Sequence, residues 1–318
     1  MQIVAQVAAQ FWQEPVEKVL DLIDTINVLK FTGGKVAGIL PSHSAAPPVF
    51  FKVYTNNAFR FEQAGLEAAA RMPLVEGVST PTVLSIMPEY KAVIMEKRTW
   101  EDTDSPWKRL WVNRLGINWY NVGVWLRAFH DTQITNERNN YFLRRKYEKF
   151  ESHLADLKHL FSIEQLQKMD QIYQSAREYY ENETTEWVLS HGDFGLANIK
   201  KSGNELEVID FEDCQPAPRA FDFLNCFTRM EYSNALPHGR TQNQQSKNGF
   251  LNGYGTKLQY SAGDEFLEVL IRLDLLRGYY YREANRALSR QQRVIFYFFR
   301  KESLRRIKEF LSVSHGNI

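Results

Sequence analysis

Short runs of β-branched and aromatic residues mark the first third of the chain, and long helical stripes mark the rest. Ile26 to Phe31, Lys35 to Leu40, Val49 to Tyr54 and Ala92 to Met95 each carry the β-rich composition bounded by turn residues that predicts a strand. Thr32-Gly33-Gly34 joins the first pair, and Pro41 through Pro48 reads as a loop by composition. Between Phe59 and Met72, the apolar positions Phe59, Leu66, Ala69 and Ala70 predict a helix with one buried face. Beyond Trp100 the periodicity lengthens, predicting helices over Trp107 to Asp131, Leu143 to Leu160, Ile163 to Tyr180 and most of Phe266 to Leu311. Trp187-Val188-Leu189-Ser190 and the alternating Glu205 to Ile209 interrupt that series as strands, and Gln242 to Ser246 reads as an exposed polar loop. The pattern divides the chain into a β-rich segment, residues 1–96, and a mainly helical segment, residues 97–318, with no internal repeat.

Composition narrows the class of protein. A chain of 318 residues, 44% hydrophobic and 24% charged, can bury a large core as two lobes. Its formal net charge of +1 gives no overall attraction to nucleic acid or to an anionic membrane. Cys214 and Cys226 stand too far apart for a C-x-x-C redox or zinc pair, which favours a reduced, cytoplasmic setting. The N-terminus lacks the charged and apolar regions of a signal peptide, and no apolar run reaches transmembrane length.

Candidate chemistry concentrates in His191-Gly192-Asp193-Phe194-Gly195-Leu196-Ala197-Asn198 and in Ile209-Asp210-Phe211 downstream. Phosphoryl transfer needs one carboxylate to accept the proton of the attacking hydroxyl, and oxygen ligands to hold magnesium against the nucleotide phosphates. Asp193, Asn198 and Asp210 supply those groups in order, each motif following a predicted strand. As a bare pattern, Asp193 could equally cap a turn, but that reading does not account for Asn198 and Asp210.

These two motifs resemble the aminoglycoside phosphotransferase and choline kinase family, whose catalytic loop runs His-Gly-Asp, four residues, Asn, and whose second aspartate lies on an Ile-Asp-Phe strand. The resemblance implies an α+β, protein-kinase-like fold: a small β-rich N-lobe over 1–96 and a larger helical C-lobe over 97–318 holding the catalytic loop. It further implies a phosphotransferase that moves the γ-phosphate of ATP or GTP to a small-molecule hydroxyl with Mg2+ as cofactor. Asp193 would be the catalytic carboxylate, Asn198 and Asp210 the metal ligands, His191 an orienter of the loop, and Asp222, in Pro218-Arg219-Ala220-Phe221-Asp222, a supporting aspartate.

On the nucleotide side, Lys52 stands among apolar residues on a predicted strand, the setting of the lysine with which kinases hold phosphates; the alternative is a lysine snorkelling from an edge strand. Its helical partner is read as Glu67, with Glu62 the alternative. Gly33-Gly34 fits either a phosphate-covering loop or a plain hairpin turn. Where the family continues that loop with Ser-Asn, this chain has Lys35-Val36. Glu96 and Lys97 occupy the place of the hinge that offers backbone groups to adenine.

The C-terminal stretch from Arg282 to Lys308 is basic and interleaved with Val294 to Phe299, so it reads as a helix with an aromatic buried side or as a peripheral contact to an anionic surface. The implied partners are a nucleotide and a hydroxyl acceptor, without nucleic acid. Two other readings keep the fold: a kinase of a lipid-linked or anionic sugar, and a catalytically silent binding protein.

Overall fold

A computed structural model describes residues 1–32, 34–43, 47–99, 117–183, 185–233, 239–255 and 260–312. Gly33 and residues 107–116 of the first expected C-terminal helix lie outside them. The chain forms two compact units, Met1–Glu101 with Asn198–Gln215, and Asp102–Ala197 with Pro216–Ile318.

The first unit is built on a five-stranded antiparallel sheet of β1 (Asn27–Thr32), β2 (Lys35–Leu40), β3 (Val49–Tyr54), β5 (Val83–Met87) and β6 (Ala92–Glu96), ordered β1-β2-β3-β6-β5. Side chains alternate across a strand, so β3 sends Val49, Phe51 and Val53 to one face and Phe50 and Lys52 to the other. The first set packs with Val36, Leu40, Ala92 and Ile94 against Val4, Val7 and Ala8 of helix α1 (Gln2–Trp12), which the sequence pattern did not single out. Val19 of the short helix α2 (Val16–Leu20) joins the same core. The second set lines a cavity of about 240 Å³ with Leu29, Lys35, Ala37, Met95, Glu96 and Asp210. One alternation therefore separates a dry core from a chemical surface.

Helix α3 (Ala58–Arg71) buries Phe59, Glu62, Gly65, Leu66, Ala68 and Ala69. A Cβ at Gly65 would lie 2.6 Å from Phe211 Cβ and 2.8 Å from its ring, so the missing Cβ is what lets this helix close onto the segment that carries Asp210. Strands β9 (Ile199–Ser202) and β10 (Glu205–Val208) form a hairpin turned at Gly203, whose φ of 62° suits glycine. β10 also pairs in parallel with β4 (Val78–Ser79). That pairing draws Asn198–Gln215 into the first unit, whereas the sequence reading assigned these residues to the helical segment beyond residue 96.

The second unit is mainly helical. Its core gathers Phe142, Phe150, Tyr173, Ala176, Trp187, Phe221, Phe266 and Leu270. β8 (Trp187–Ser190), buried at all four positions, stands between β7 (Ile134–Thr135) and β11 (Gln215–Pro218). Gln242 to Ser246 is not the loop its composition suggests but part of the Gly239–Tyr254 helix. Asn243 and Ser246 are buried there, because tertiary packing overrides weak local preference.

The Gly239–Tyr254 helix packs closely on Trp119–His130. A Cβ at Gly253 would lie 1.9 Å from the Tyr120 carbonyl oxygen, and one at Gly123 would lie 2.1 Å from that of Phe250. Both collisions are with backbone, which cannot swing away. Gly253→Ala should therefore destabilise the protein by about 1–3 kcal/mol, as overpacked cores do. Urea denaturation checks this, and a loss below about 0.5 kcal/mol, the scale of a neutral surface change, would contradict the backbone clash.

Candidate active site

Lys52 is the centre of the first unit's polar surface. Its position on β3, opposite Ala37 on β2 and Val93 on β6, buries it in the middle of the sheet. Such a cation must be paired. Lys52 Nζ donates to Glu62 Oε1 at 2.8 Å and to Asp210 Oδ1 at 2.7 Å. Burial alone would drive this ammonium toward neutrality, but Glu62 and Asp210 reverse the effect and hold its pKa well above the ordinary lysine value.

Glu67, chosen from the sequence as the partner of Lys52, is on the wrong face of α3. The buried stripe runs through Glu62, Gly65, Leu66 and Ala69, the i, i+3, i+4, i+7 positions of one helix face. Glu67 lies about 140° around the helix from Glu62 at 100° per residue. It is exposed and accepts from Gln63 Nε2 at 2.8 Å.

Asp210 follows β10 with a φ of 69°, a left-handed backbone that aspartate tolerates better than most residues. Burial opposes its charge, yet Lys52 and Lys35 keep its pKa below the ordinary carboxylate range. Ile209 N donates to Asn198 O at 2.9 Å, which ties the buried Asn198 to the residue before Asp210 at the open end of the hairpin. Lys52 and Lys35 both lie on Asp210 Oδ1, so among the described residues Oδ2 is left for another ligand. A carboxylate oxygen beside an amide side chain on one hairpin suits a hard, oxygen-seeking divalent cation that takes its other ligands from phosphates and water.

Lys35 begins β2, is buried, and also donates to Glu212 Oε2. Gly34 O accepts from Thr55 N at 3.1 Å, so this loop is tied to the end of β3, and a Cβ at Gly34 would strike Asn56. Glu96 ends β6 at the cavity, while Lys97 is exposed and does not line it.

Residues His191 to Ala197 belong to the second unit. Asp222, in the first turn of the Ala220–Ser233 helix, is completely buried. Its Oδ2 accepts from His191 N at 2.8 Å and its Oδ1 from Gly192 N at 3.0 Å, so one carboxylate fixes the turn that presents Asp193. Gly192, at φ 86°, supplies the left-handed step. His130 Nε2 lies 2.9 Å from Asp222 Oδ2 and its Nδ1 2.8 Å from the Tyr254 hydroxyl. Burial lowers the His130 pKa despite Asp222, and a neutral ring fits this network, donating to Asp222 and accepting from Tyr254. Arg219 completes it by donating to the Tyr254 hydroxyl at 2.6 Å.

Asp193 itself is partly exposed. Arg229 Nη2 donates to its Oδ1 at 2.6 Å and Asn225 Nδ2 at 3.4 Å, while Arg229 Nε donates to Asn225 Oδ1 at 2.9 Å. Sequence reading missed Arg229 and Asn225; their spacing of four on one helix is a signal only once that helix is known to face Asp193.

A β-sheet unit carrying a buried lysine, glutamate and aspartate, and a helical unit presenting an aspartate on a fixed turn, are the parts of an α+β, protein-kinase-like fold. Residues 118–272 match the family model described as choline/ethanolamine kinase. Among solved structures the chain is similar to a choline/ethanolamine kinase family protein from Mesorhizobium loti, at 12% identity and TM-score 0.58, covering 91% of this chain and 88% of the other. It is similar to spectinomycin phosphotransferase in complex with ADP and spectinomycin, at 12% identity and TM-score 0.54, covering 93% and 98%. It is also similar to an amicoumacin kinase in complex with AMP-PNP, Ca2+ and Ami, at 16% identity and TM-score 0.54, covering 91% and 93%. No curated protein matches the chain.

No helix among the described residues is long and apolar enough to cross a membrane. Within the basic Arg290–Ser312 helix, Arg300 is paired with Glu283, and Arg305 and Arg306 with Glu302.

Proposed function

We propose that this protein transfers the γ-phosphate of ATP or GTP to a hydroxyl of a small molecule. The reading is supported most directly by the buried chain Glu62–Lys52–Asp210 beside the cavity of about 240 Å³. A sheet has no structural need for a lysine that requires two carboxylates to keep its charge, whereas a nucleotide's α- and β-phosphates do need a fixed cation. Relatives of this fold bind ADP or AMP-PNP, which favours a purine nucleotide in the cavity lined by Leu29, Ala37, Phe50 and Met95.

In this mechanism Lys52 holds phosphates and Glu62 fixes its rotamer. Glu96, at the cavity edge, offers backbone groups to the base; Lys97, away from the lining, is left as a solvent-facing neighbour. Asn198 and Asp210 would hold Mg2+, which supplies charge neutralisation at the transferring phosphoryl group. Asp193 accepts the proton of the attacking hydroxyl, and Arg229 with Asn225 sets its orientation. Asp222, through the two amides after Ser190, keeps that loop in place, with His191 as part of the same turn. Positioning and electrostatics do most of the work, since the phosphoryl group needs no covalent intermediate on the protein.

The test is thermal unfolding with magnesium and ATP, GTP or neither, on wild type and Asp210→Asn. Ligand at about 100 times Kd stabilises the folded state by about 2.7 kcal/mol, which is expected to raise Tm by roughly 4 °C. The rise should require magnesium and vanish in Asp210→Asn. A wild type indifferent to both nucleotides at millimolar concentration would overturn the reading.

A further inference from the structure

We propose that Lys35 is a second phosphate-binding cation that resides on the metal-binding acids until a metal and nucleotide arrive, so that it opposes the bare metal and assists the nucleotide. The inference rests on the proposed phosphotransferase reading and concerns a position where the resembling family carries serine.

Lys35 stands at the first residue of β2, opposite Tyr54 at the end of β3. Its side chain is 7% exposed, and its ammonium reaches Asp210 Oδ1 at 3.4 Å as well as Glu212 Oε2. Lys52 occupies the same Asp210 oxygen from the other direction at 2.7 Å. The two ammonium groups thus lie among the carboxylates of Glu62, Asp210 and Glu212. Removing Lys35 would leave the site one charge more negative.

The consequence has opposite signs for the two ligands. A divalent cation approaching Asp210 meets Lys35 already in place, and like charges this close repel strongly in a partly buried site. A nucleoside triphosphate brings several negative charges to the same cavity, whose lining includes both Lys35 and Lys52. With metal on Asp210, the Lys35 ammonium exchanges its carboxylate partners for phosphate oxygens within the reach of one flexible side chain. A lysine kept merely for folding would not favour one ligand while disfavouring the other.

The experiment measures Mn2+ binding by electron paramagnetic resonance, without nucleotide and with AMP-PNP, on wild type, Lys35→Met, Lys35→Arg and Asp210→Asn. Lys35→Met should bind bare Mn2+ about tenfold more tightly and Mn2+-AMP-PNP about tenfold more weakly, the scale set by one charge-assisted contact. Lys35→Arg, which keeps the charge, should stay within about threefold of wild type in both, a margin under 1 kcal/mol. If wild type binds Mn2+-AMP-PNP and both constants for Lys35→Met stay within about twofold of it, Lys35 is only a structural ion-pair partner and the inference fails. It fails equally if both affinities move in one direction. Absence of Mn2+-AMP-PNP binding by wild type overturns the phosphotransferase reading, and the role of Lys35 with it. Asp210→Asn should lose the bare Mn2+ site in all cases, and retention there would place the metal elsewhere and overturn the competition.

Discussion

Asp193→Ala should lower the rate of phosphoryl transfer by about 10³-fold, within the range for loss of a positioned general base, while nucleotide affinity changes by less than about twofold. The separation follows from the chain's division. Asp193 is held by Arg229 and Asn225 within the helical unit, whereas Lys52, Glu62 and Asp210 form their ion chain within the sheet unit. Partial exposure of Asp193 and Arg229 keeps the stability cost small, since the pair is screened by water. Acceptor-dependent formation of the nucleoside diphosphate, across a surveyed set of hydroxylated acceptors, measures the rate, and titration calorimetry with AMP-PNP measures the affinity. Full turnover in Asp193→Ala would remove it as the base, and a parallel loss of nucleotide binding would make it part of the nucleotide site.

Glu62→Gln should have the largest effect on the sheet unit, and Glu67→Gln almost none. Glu62 is 1% exposed and supplies one of two counter-charges to a largely buried lysine. Removing one partner of a buried pair leaves an uncompensated charge and typically costs about 3–5 kcal/mol; here Asp210 retains part of the compensation, so about 2–4 kcal/mol is expected. Nucleotide affinity should fall with it, because Lys52 loses the contact that fixes its rotamer. Glu67 meets only Gln63 at the surface, so its substitution should stay within about 0.5 kcal/mol. Chemical denaturation of the two variants side by side separates the two glutamates. A larger loss from Glu67→Gln would reinstate the partner read from the sequence.

The pH dependence has a definite sign. Asp210 has its pKa depressed in the folded state, so its contribution to stability is complete above the ordinary carboxylate pKa and is lost as pH falls through the lower folded value. Lys52 is shifted the other way, and its contribution is lost only as pH rises past the ordinary lysine range. Between those limits Asp210 and Lys52 hold their charges unchanged.

How much of the fold and site was legible in the sequence depends on how local each requirement is. The loop from His191 to Asn198 and the strand end at Asp210 can be read directly, because their chemistry demands particular residues at short, fixed spacing. The strands of the first unit were legible for a similar reason, since β3 alone carries both its core face and its polar face in alternation. Helical period already sets Glu62 on the face of Phe59, Leu66 and Ala69 and Glu67 off it, a signal passed over in choosing Glu67; the structure closes that face on Phe211 through Gly65, almost 150 residues apart in the chain. Arg229 and Asn225 sit on a helix whose target is fixed only by the fold, and Lys35 showed itself merely as a departure from a familiar loop. Helix α1 buries a stripe of small side chains, Val4, Ala5, Val7, Ala8 and Ala9, that was passed over beside the larger apolar runs, and the Gln242 to Ser246 run became helical through burial of Asn243 and Ser246.

The sheet unit is discontinuous along the chain, closing only with Asn198–Gln215. During synthesis, therefore, Lys52 and Glu62 emerge from the ribosome long before Asp210 exists, and β4 waits for β10. Domains that fold as contiguous units can do so as they emerge. Here residues made early are completed only by residues made much later, and a nascent chain stalled before Asp210 holds an ion chain with one end missing.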